Sequence, residues 1–575
     1  MQDLVFSSRI IKYGALLALH ALVFTSASTI ARAAGATQPG RISPAPAIQF
    51  AEAKEQILHV GNGAEIKDAD PTKATGIPES HVIENLFEGL TAHDPLTLAA
   101  IPGVAQSWQI SADGKIYTFH LRKNARWSDG TGITARDFVY SWQRAVAPET
   151  ASEYAYQLYC LKNGKEINTG TTKDLNALGV KALDDYTLEV SLNHPVPYFL
   201  HLTSFHTYFP TPQHVIKKFS GNGEWTRAGN MVSNGPFKLS EWILNKHIKL
   251  EPNPYYWDKE AVKLSAVYIH PIENVDTEEK SFWAGELHMT LQVPLIKVPS
   301  YLDEARKNPR AYHPYKMEPY LGTYFYRFNT SKPPFNDKRV RRAFTISINR
   351  QLLIDKVTRH HEIPADSLCP PGLDGYDFPG TLQATVSKET LAEAQELMSQ
   401  AGYPHGKGFP NVSILYNTLD NHKKIALAVR QMWKDSLGVE VGLFNQEWKV
   451  YLDTQRKMQY EISRAGWIGD YPDPNTFLDM FVTNGANNQT GWANKEYDRL
   501  IEQAANTSEH KARLDLFRQA ETILMDELPI APVYIHTNTR LVSEKVKLVI
   551  PHEPVRSWHG NLTDRLLFKY YALAK

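Results

Sequence analysis

The chain has 575 residues, with 62 Lys and Arg balanced by 62 Asp and Glu, so its formal net charge is zero. That balance disfavours nucleic acid as a partner, because such binders carry a basic excess. Only Cys160 and Cys369 occur, which excludes a disulfide scaffold and argues against a cysteine metal site; nothing in the sequence says whether they meet. The length allows several packed lobes rather than one core, and 12 Trp and 28 Tyr suit a site where a polar ligand meets a mostly apolar wall.

Residues 1–33 read as a secretory signal. Arg9 and Lys12 form a positive start, 13–24 is an apolar run broken only by His20, and Ala31-Arg32-Ala33 places small residues where a signal peptidase cuts. The run is shorter than the roughly 20 residues needed to span a bilayer, and no later segment does better. Cleavage after Ala33 leaves no cysteine nearby to carry a lipid anchor, so the expectation is a free periplasmic protein. Residues 34–56, rich in Ala, Pro and Gly, read as a flexible leader.

From Ile57 onward short β-like runs alternate with amphipathic helices. Val82, Ile83, Leu86, Phe87 and Leu90 stand at helical spacing and predict a helix over 79–90. Residues 115–122 alternate as a half-buried strand, 127–130 form a turn, and Thr134 caps a helix running to Val146. The clearest unit is a strand at 412–416, a helix at 422–437 stopped by Gly438, and a strand at 439–443; this predicts a right-handed crossover between parallel strands. A helix at 387–401, ended by Gly402, has the same style. The fold class is therefore α/β.

The richest stretch runs from Ser463 to Pro474. Arg464, Gly466, Trp467 and Asp470 put a guanidinium, a close-approach glycine, an aromatic wall and a carboxylate on one segment that ends in Pro/Asp turn formers. On residue type alone it reads equally as a strand running into an ordinary turn.

Several stretches, in order from about residue 57 to the C-terminus, carry a resemblance. Gly76-Ile77-Pro78-Glu79-Ser80 leads into Asn85-Leu86-Phe87-Glu88-Gly89-Leu90, and Phe119-His120-Leu121-Arg122 into Trp127-Ser128-Asp129-Gly130-Thr131 and 137–144. Pro333-Pro334-Phe335-Asn336-Asp337 with 339–341, 415–418, 445–449 and 464–471 follow. The collinear set resembles the large peptide-binding receptors of ATP-driven importers, of the oligopeptide and murein-peptide type. The resemblance implies a two-lobed periplasmic binding protein-like fold with an additional third lobe: lobe I at 50–88, 214–321 and 538–575, lobe II at 89–213, and lobe III at 322–537. Lobes I and III would close on a ligand by a hinge, while lobe II packs beside them with no ligand role that can be derived.

The implied function is non-enzymatic: short peptides are captured by a monomer and delivered to an inner-membrane ATP-driven permease, with no cofactor and no metal. A receptor that tolerates many sequences must hold what all peptides share. Asp470 matches the family's ammonium-binding aspartate, and an ion pair at about 4 Å gains about 4 kcal/mol at an effective dielectric near 20. The ligand backbone would add as a strand, flanked through main-chain groups by Ile77, Arg464 and Gly466. Tyr154, Trp448, Trp467, Asn417 and His422 match ligand-facing positions.

Without the family match, Trp448 and Trp467 read first as core aromatics, His422 equally as a solvated helix residue, and Arg464 as a partner of Glu461. His360-His361-Glu362 lacks His-Glu-x-x-His spacing and is not read as a metal site. The chain departs from the family at Gln455, where many relatives have an arginine for the ligand carboxylate. On a strand, Arg456 would point to the opposite face and could not replace it. Ile468 replaces a cysteine of some relatives, and His536 a common tyrosine. A receptor for murein peptide or another small ligand such as haem is the alternative within the class. A periplasmic hydrolase finds no Gly-x-Ser-x-Gly, zinc or phosphate-loop motif in support, and a folding helper would lack a defined ligand pocket.

Overall fold

The computed structural model describes residues 54–575, apart from 220–222, 372, 374, 552, 558, 559 and 562. The expected signal and the leader as far as residue 53 lie outside the described residues.

Ile57–Gly61 pairs in parallel with Ala266–His270, and His247–Pro252 and Phe237–Ile243 extend this sheet antiparallel. Period-two alternation sorts its side chains. Leu58, Val60, Val267, Ile269, Ile248 and Leu250 face the core, and the opposite face carries a row of histidines. There the Nδ1 of His59 meets the Nε2 of His270 at 3.1 Å, and the His59 backbone N–H donates to the Nδ1 of His288 at 3.1 Å. His247 lies beside His270 and bonds Glu241 at 2.9 Å. The two ends of the described chain meet at this sheet: the Gln56 amide bonds the backbone N–H and C=O of Leu573, each at 2.8 Å.

A second four-stranded sheet is built from Ala105–Ile110, Ile116–Leu121, Thr187–Ser191 and Val180–Ala182. The helix Ala135–Val146 belongs to the same region. Thr134 opens it as expected, with the Asp137 carboxylate accepting from the Thr134 backbone N–H at 2.8 Å.

The third sheet is six-stranded, in the order Ile363–Pro364, Ile530–Leu541, Tyr315–Phe328, Ile462–Ile468, Val412–Asn417 and Val441–Gln446. Val412–Asn417 and Val441–Gln446 are parallel and joined by the helix Asp420–Leu437, the crossover that the sequence predicts. Gly438 ends that helix at φ +71°, a left-handed conformation that glycine adopts freely. Both sheet faces are covered. Tyr324 and Tyr326 pack with Trp433 and Phe344 on one side, while Phe325, Ala465 and Trp467 pack with Tyr497 and Phe517 on the other.

Two long strands, Tyr315–Phe328 and Ile530–Leu541, run out of this sheet toward the first one. Val542 bridges Met289, which bridges Val60. Their pairing breaks register between Pro319 and Thr323.

Two expectations change. The helix predicted over 79–90 is Ile77–Leu86: Pro78 suits its first turn, and Phe87 turns extended. Gln455 and Arg456 lie in the helix Trp448–Arg456 rather than on a strand, so their side chains diverge by about 100° instead of alternating across a sheet. Cys160 and Cys369 are free thiols. Burial pushes the Cys160 thiol up to about 12 and that of Cys369 well above its usual value.

Candidate functional site

A cavity of about 280 Å³ lies where the three regions meet. Ile77, Tyr154, Asn417, His422, Trp448, Arg464, Gly466, Trp467 and Asp470 all line it. Gln455 does not. It is buried behind the strand Ile462–Ile468, where its amide donates to the Ser463 hydroxyl at 2.7 Å and to the Arg464 carbonyl at 2.9 Å. The helix turns it inward, which a strand at 455–456 would not have required.

The strand Ile462–Ile468 positions the central groups. Its pairing with Tyr315–Phe328 sets Tyr326 opposite Arg464, Tyr324 opposite Gly466 and Gly322 opposite Ile468, so these six share one face. A Cβ on Gly466 would come within 3.3 Å of His536 and 3.5 Å of the Arg464 guanidinium, so glycine keeps the cavity open there.

Asp470 follows the strand and is only 9 % exposed. Its carboxylate accepts from the Gln157 amide at 2.9 Å, and its backbone N–H donates to the Thr476 hydroxyl at 3.0 Å. The Arg565 guanidinium reaches the Asp470 carbonyl at 3.2 Å rather than the carboxylate. No ion pair among the described residues involves the Asp470 carboxylate. Burial raises its pKa to about 7, against the opposing pull of Arg565 and the Gln157 bond.

Arg464 likewise has no ion-paired carboxylate among the described residues, because Glu461 is taken by Lys332 at 3.0 Å. Its guanidinium lies 4.8 Å from the Tyr324 ring centroid and 3.4 Å from the Asn417 side-chain oxygen. His422 and His536 stand close by. Burial, with Arg464 adding to it, holds His422 well below the usual histidine range and His536 at about 3. His422 is therefore neutral at pH 7 and can meet a ligand carboxylate only as an uncharged donor. The Arg464 Nε, His422 Nδ1 and Trp467 Nε1 are buried without a protein hydrogen-bond partner.

The remaining walls come from elsewhere in the chain. Tyr154 packs against Phe205 (5.2 Å between centroids), His206 (5.6 Å) and Trp467 (6.1 Å). Residues 89–213 thus supply part of the cavity, through Tyr154 as the resemblance implies and through Phe205 and His206. They also supply the Gln157 amide that holds Asp470, which the sequence does not imply. Gln157 and Arg565 carry no sequence signal that would have found them. His360 and Glu362, noticed in the sequence only as a cluster without metal-site spacing, line the cavity too.

The sequence profile of the bacterial extracellular solute-binding proteins, family 5 Middle, matches residues 99–489. The periplasmic oligopeptide-binding protein OppA of Salmonella typhimurium is 40% identical over 494 residues, covering 85% of this chain and 89% of its own. The murein tripeptide-binding protein MppA of Escherichia coli superposes with a TM-score of 0.84 at 37% identity, over 91% of this chain and all of that one. OppA of Haemophilus influenzae in complex with RPPGFSPFR also gives 0.84, at 34% identity over 91% of this chain and all of that one. MppA in its unliganded open form gives only 0.60, at 36% identity over 92% and 99% of the two chains. The α/β fold with several lobes is therefore shared with these proteins, in an arrangement unlike the open one. The chain belongs to the bacterial extracellular solute-binding proteins, family 5.

Proposed function

We propose that this protein is a periplasmic receptor that captures short peptides between two closing lobes and delivers them to an ATP-driven permease in the inner membrane. The family is one of binding proteins rather than enzymes, and relatives that bind oligopeptides and murein tripeptide support the ligand class. The sheet memberships support division into lobe I (50–88, 214–321, 538–575), lobe II (89–213) and lobe III (322–537), with the register break at 319–323 as a hinge between lobes I and III. Export by a signal cleaved after Ala33, without a lipid anchor, completes the reading; no helix among the described residues is long and apolar enough to cross a membrane.

The observation that carries the proposal is a pair of uncompensated charges on one segment: the buried Asp470 carboxylate and the half-buried Arg464 guanidinium, both lining the cavity. Six residues of extended chain separate them by roughly 20 Å at most. A peptide brings an ammonium and a carboxylate joined by a backbone, and so can satisfy both. Calorimetry with free and N-acetylated tripeptides tests this: acetylation removes the cation and should lower affinity at least tenfold. Equal affinities would remove Asp470 from the role of ammonium anchor.

A further inference from the structure

We propose that Glu362 ends a side-chain pocket that selects peptides carrying a long cationic side chain, lysine or arginine, at one position. The proposal rests on the peptide-receptor reading and deepens it.

Glu362 precedes the edge strand Ile363–Pro364, whose pairing sets Ile363 opposite Ile535 and Pro364 opposite Tyr534. Continuing that register puts Glu362 beside His536, the residue that borders Gly466. A side chain leaving a peptide backbone near Gly466 and passing His536 would therefore approach Glu362. Both Glu362 and His536 line the cavity.

Glu362 is 7 % exposed. Its Oε2 accepts from the Thr358 hydroxyl at 2.7 Å and from the His360 backbone N–H at 3.2 Å. Among the described residues the basic side chain paired with Oε1 is His360, whose Nδ1 stands 3.9 Å away. Burial holds that histidine at about 4, so it is neutral at pH 7. No lysine or arginine among the described residues pairs with Glu362. Burial raises its own carboxyl to about 7, against the bond from Thr358. A buried carboxylate is normally paired, and this one opens on a ligand cavity.

The other cavity carboxylates have different roles. Asp564 is ion-paired with Arg540, and Asp470 follows the third strand away from Ile363–Pro364 in the same sheet. Three strand spacings amount to roughly 14 Å, so one ammonium cannot serve both Asp470 and Glu362. The Arg464 guanidinium stands at the Gly466 end, 3.5 Å from where a Cβ on Gly466 would lie, while the wall around Glu362 itself is neutral. Thr537 donates to the His360 carbonyl at 3.0 Å, and the Thr539 hydroxyl lies 3.3 Å from the His360 Nδ1. Short hydroxyl side chains leave room for a cation and offer it further acceptors.

The test is calorimetry on the full chain with alanine tripeptides in which each position in turn is lysine or norleucine, against wild type and Glu362→Gln. At one position lysine should bind wild type about tenfold tighter than norleucine, and Glu362→Gln should abolish that advantage. Equal affinities for lysine and norleucine at every position on wild type would overturn the proposal without recourse to a variant. So would an advantage that survives in a Glu362→Gln protein melting like wild type. If no tripeptide binds wild type at all, the peptide-receptor reading itself fails and the pocket falls with it.

Discussion

The Trp448 indole N–H donates to both carboxylate oxygens of Glu79, at 3.3 and 3.4 Å. The bond joins the start of the helix Trp448–Arg456 to the first turn of Ile77–Leu86, both of which contribute residues to the cavity lining. The approach is close enough that a Cβ on Gly76 would lie 2.8 Å from the indole. Lys67 with Asp453 (2.9 Å) and Asn421 with Gln292 (3.1 Å) cross the same gap. Trp448 thus acts as a clasp between lobes as well as a cavity wall.

Replacing the indole by a phenyl ring tests the clasp. Trp448→Phe keeps an aromatic ring near Tyr451, 5.6 Å away in the native protein, but leaves the buried Glu79 carboxylate short of a donor. Peptide affinity should fall about tenfold to a hundredfold, as for loss of one hydrogen bond to a charged group. Small-angle scattering of the ligand-free protein should show a larger radius of gyration than wild type. An unchanged radius and affinity would show that the clasp does not hold the lobes together.

Asp470 should trade stability for binding. Its carboxyl titrates near 7 in the folded protein and near 3.9 in an unfolded chain, so only the folded state holds the extra proton in between. Stability therefore declines as pH rises from about 4 to 7. Asp470→Asn removes that penalty while keeping an acceptor for Gln157. At pH 8 the empty variant should be more stable than wild type by roughly 4 kcal/mol in urea unfolding, yet bind free tripeptides at least tenfold more weakly. Wild-type affinity should climb between pH 6 and 8, because the ammonium pairs with the ionised form, and binding near pH 7 should release a proton. A flat profile, with equal heats in buffers of different ionisation enthalpy, would contradict the assignment.

Gln455 is expected to matter for folding. Gln455→Leu would leave the Ser463 hydroxyl and the Arg464 carbonyl without the amide, at a cost of about 1–2 kcal/mol. The Arg464 carbonyl still accepts from the Tyr451 hydroxyl, which limits the loss. Affinities across peptides of two to five residues should shift together, if at all. A change confined to one length would return Gln455 to a ligand-reading role.

The histidine row should set the acid limit. Burial, with His59 adding to it, pushes His270 and His288 down to about 4, and burial together with His247 lowers His59. The Glu286 charge works against this shift at His270, while Lys545 adds to it at His288. An unfolded chain would take up these protons near pH 6.5, so stability present above that value is lost as pH falls toward 4. His270→Gln should flatten the decline in urea midpoint between pH 6.5 and 4. If the two slopes match, the row does not govern acid sensitivity.

Local pattern made much of this legible. The 412–443 crossover was readable because a strand, an amphipathic helix and a glycine stop follow one another, and Thr134 because capping is a local bond. Arg464, Gly466 and Asp470 were readable because they stand together on one short segment and match the family's motif there. Gln157, Glu362 and Arg565 were not, since each reaches the cavity from a distant segment and nothing in its own neighbourhood marks it. Gln455 was misread because a nine-residue helix opening on Trp448 has no strong sequence boundary, so neither periodicity nor a cap signalled that it faces inward.

The two unpaired thiols have a practical corollary. Cys160 and Cys369 are shielded and hold their protons far above neutral pH, and it is the thiolate that attacks maleimides and similar reagents. Native labelling should therefore be slow, and a dye pair placed at exposed cysteines engineered on opposite lobes would report with little background. The molecule is in that sense already prepared as an optical sensor of its own ligand.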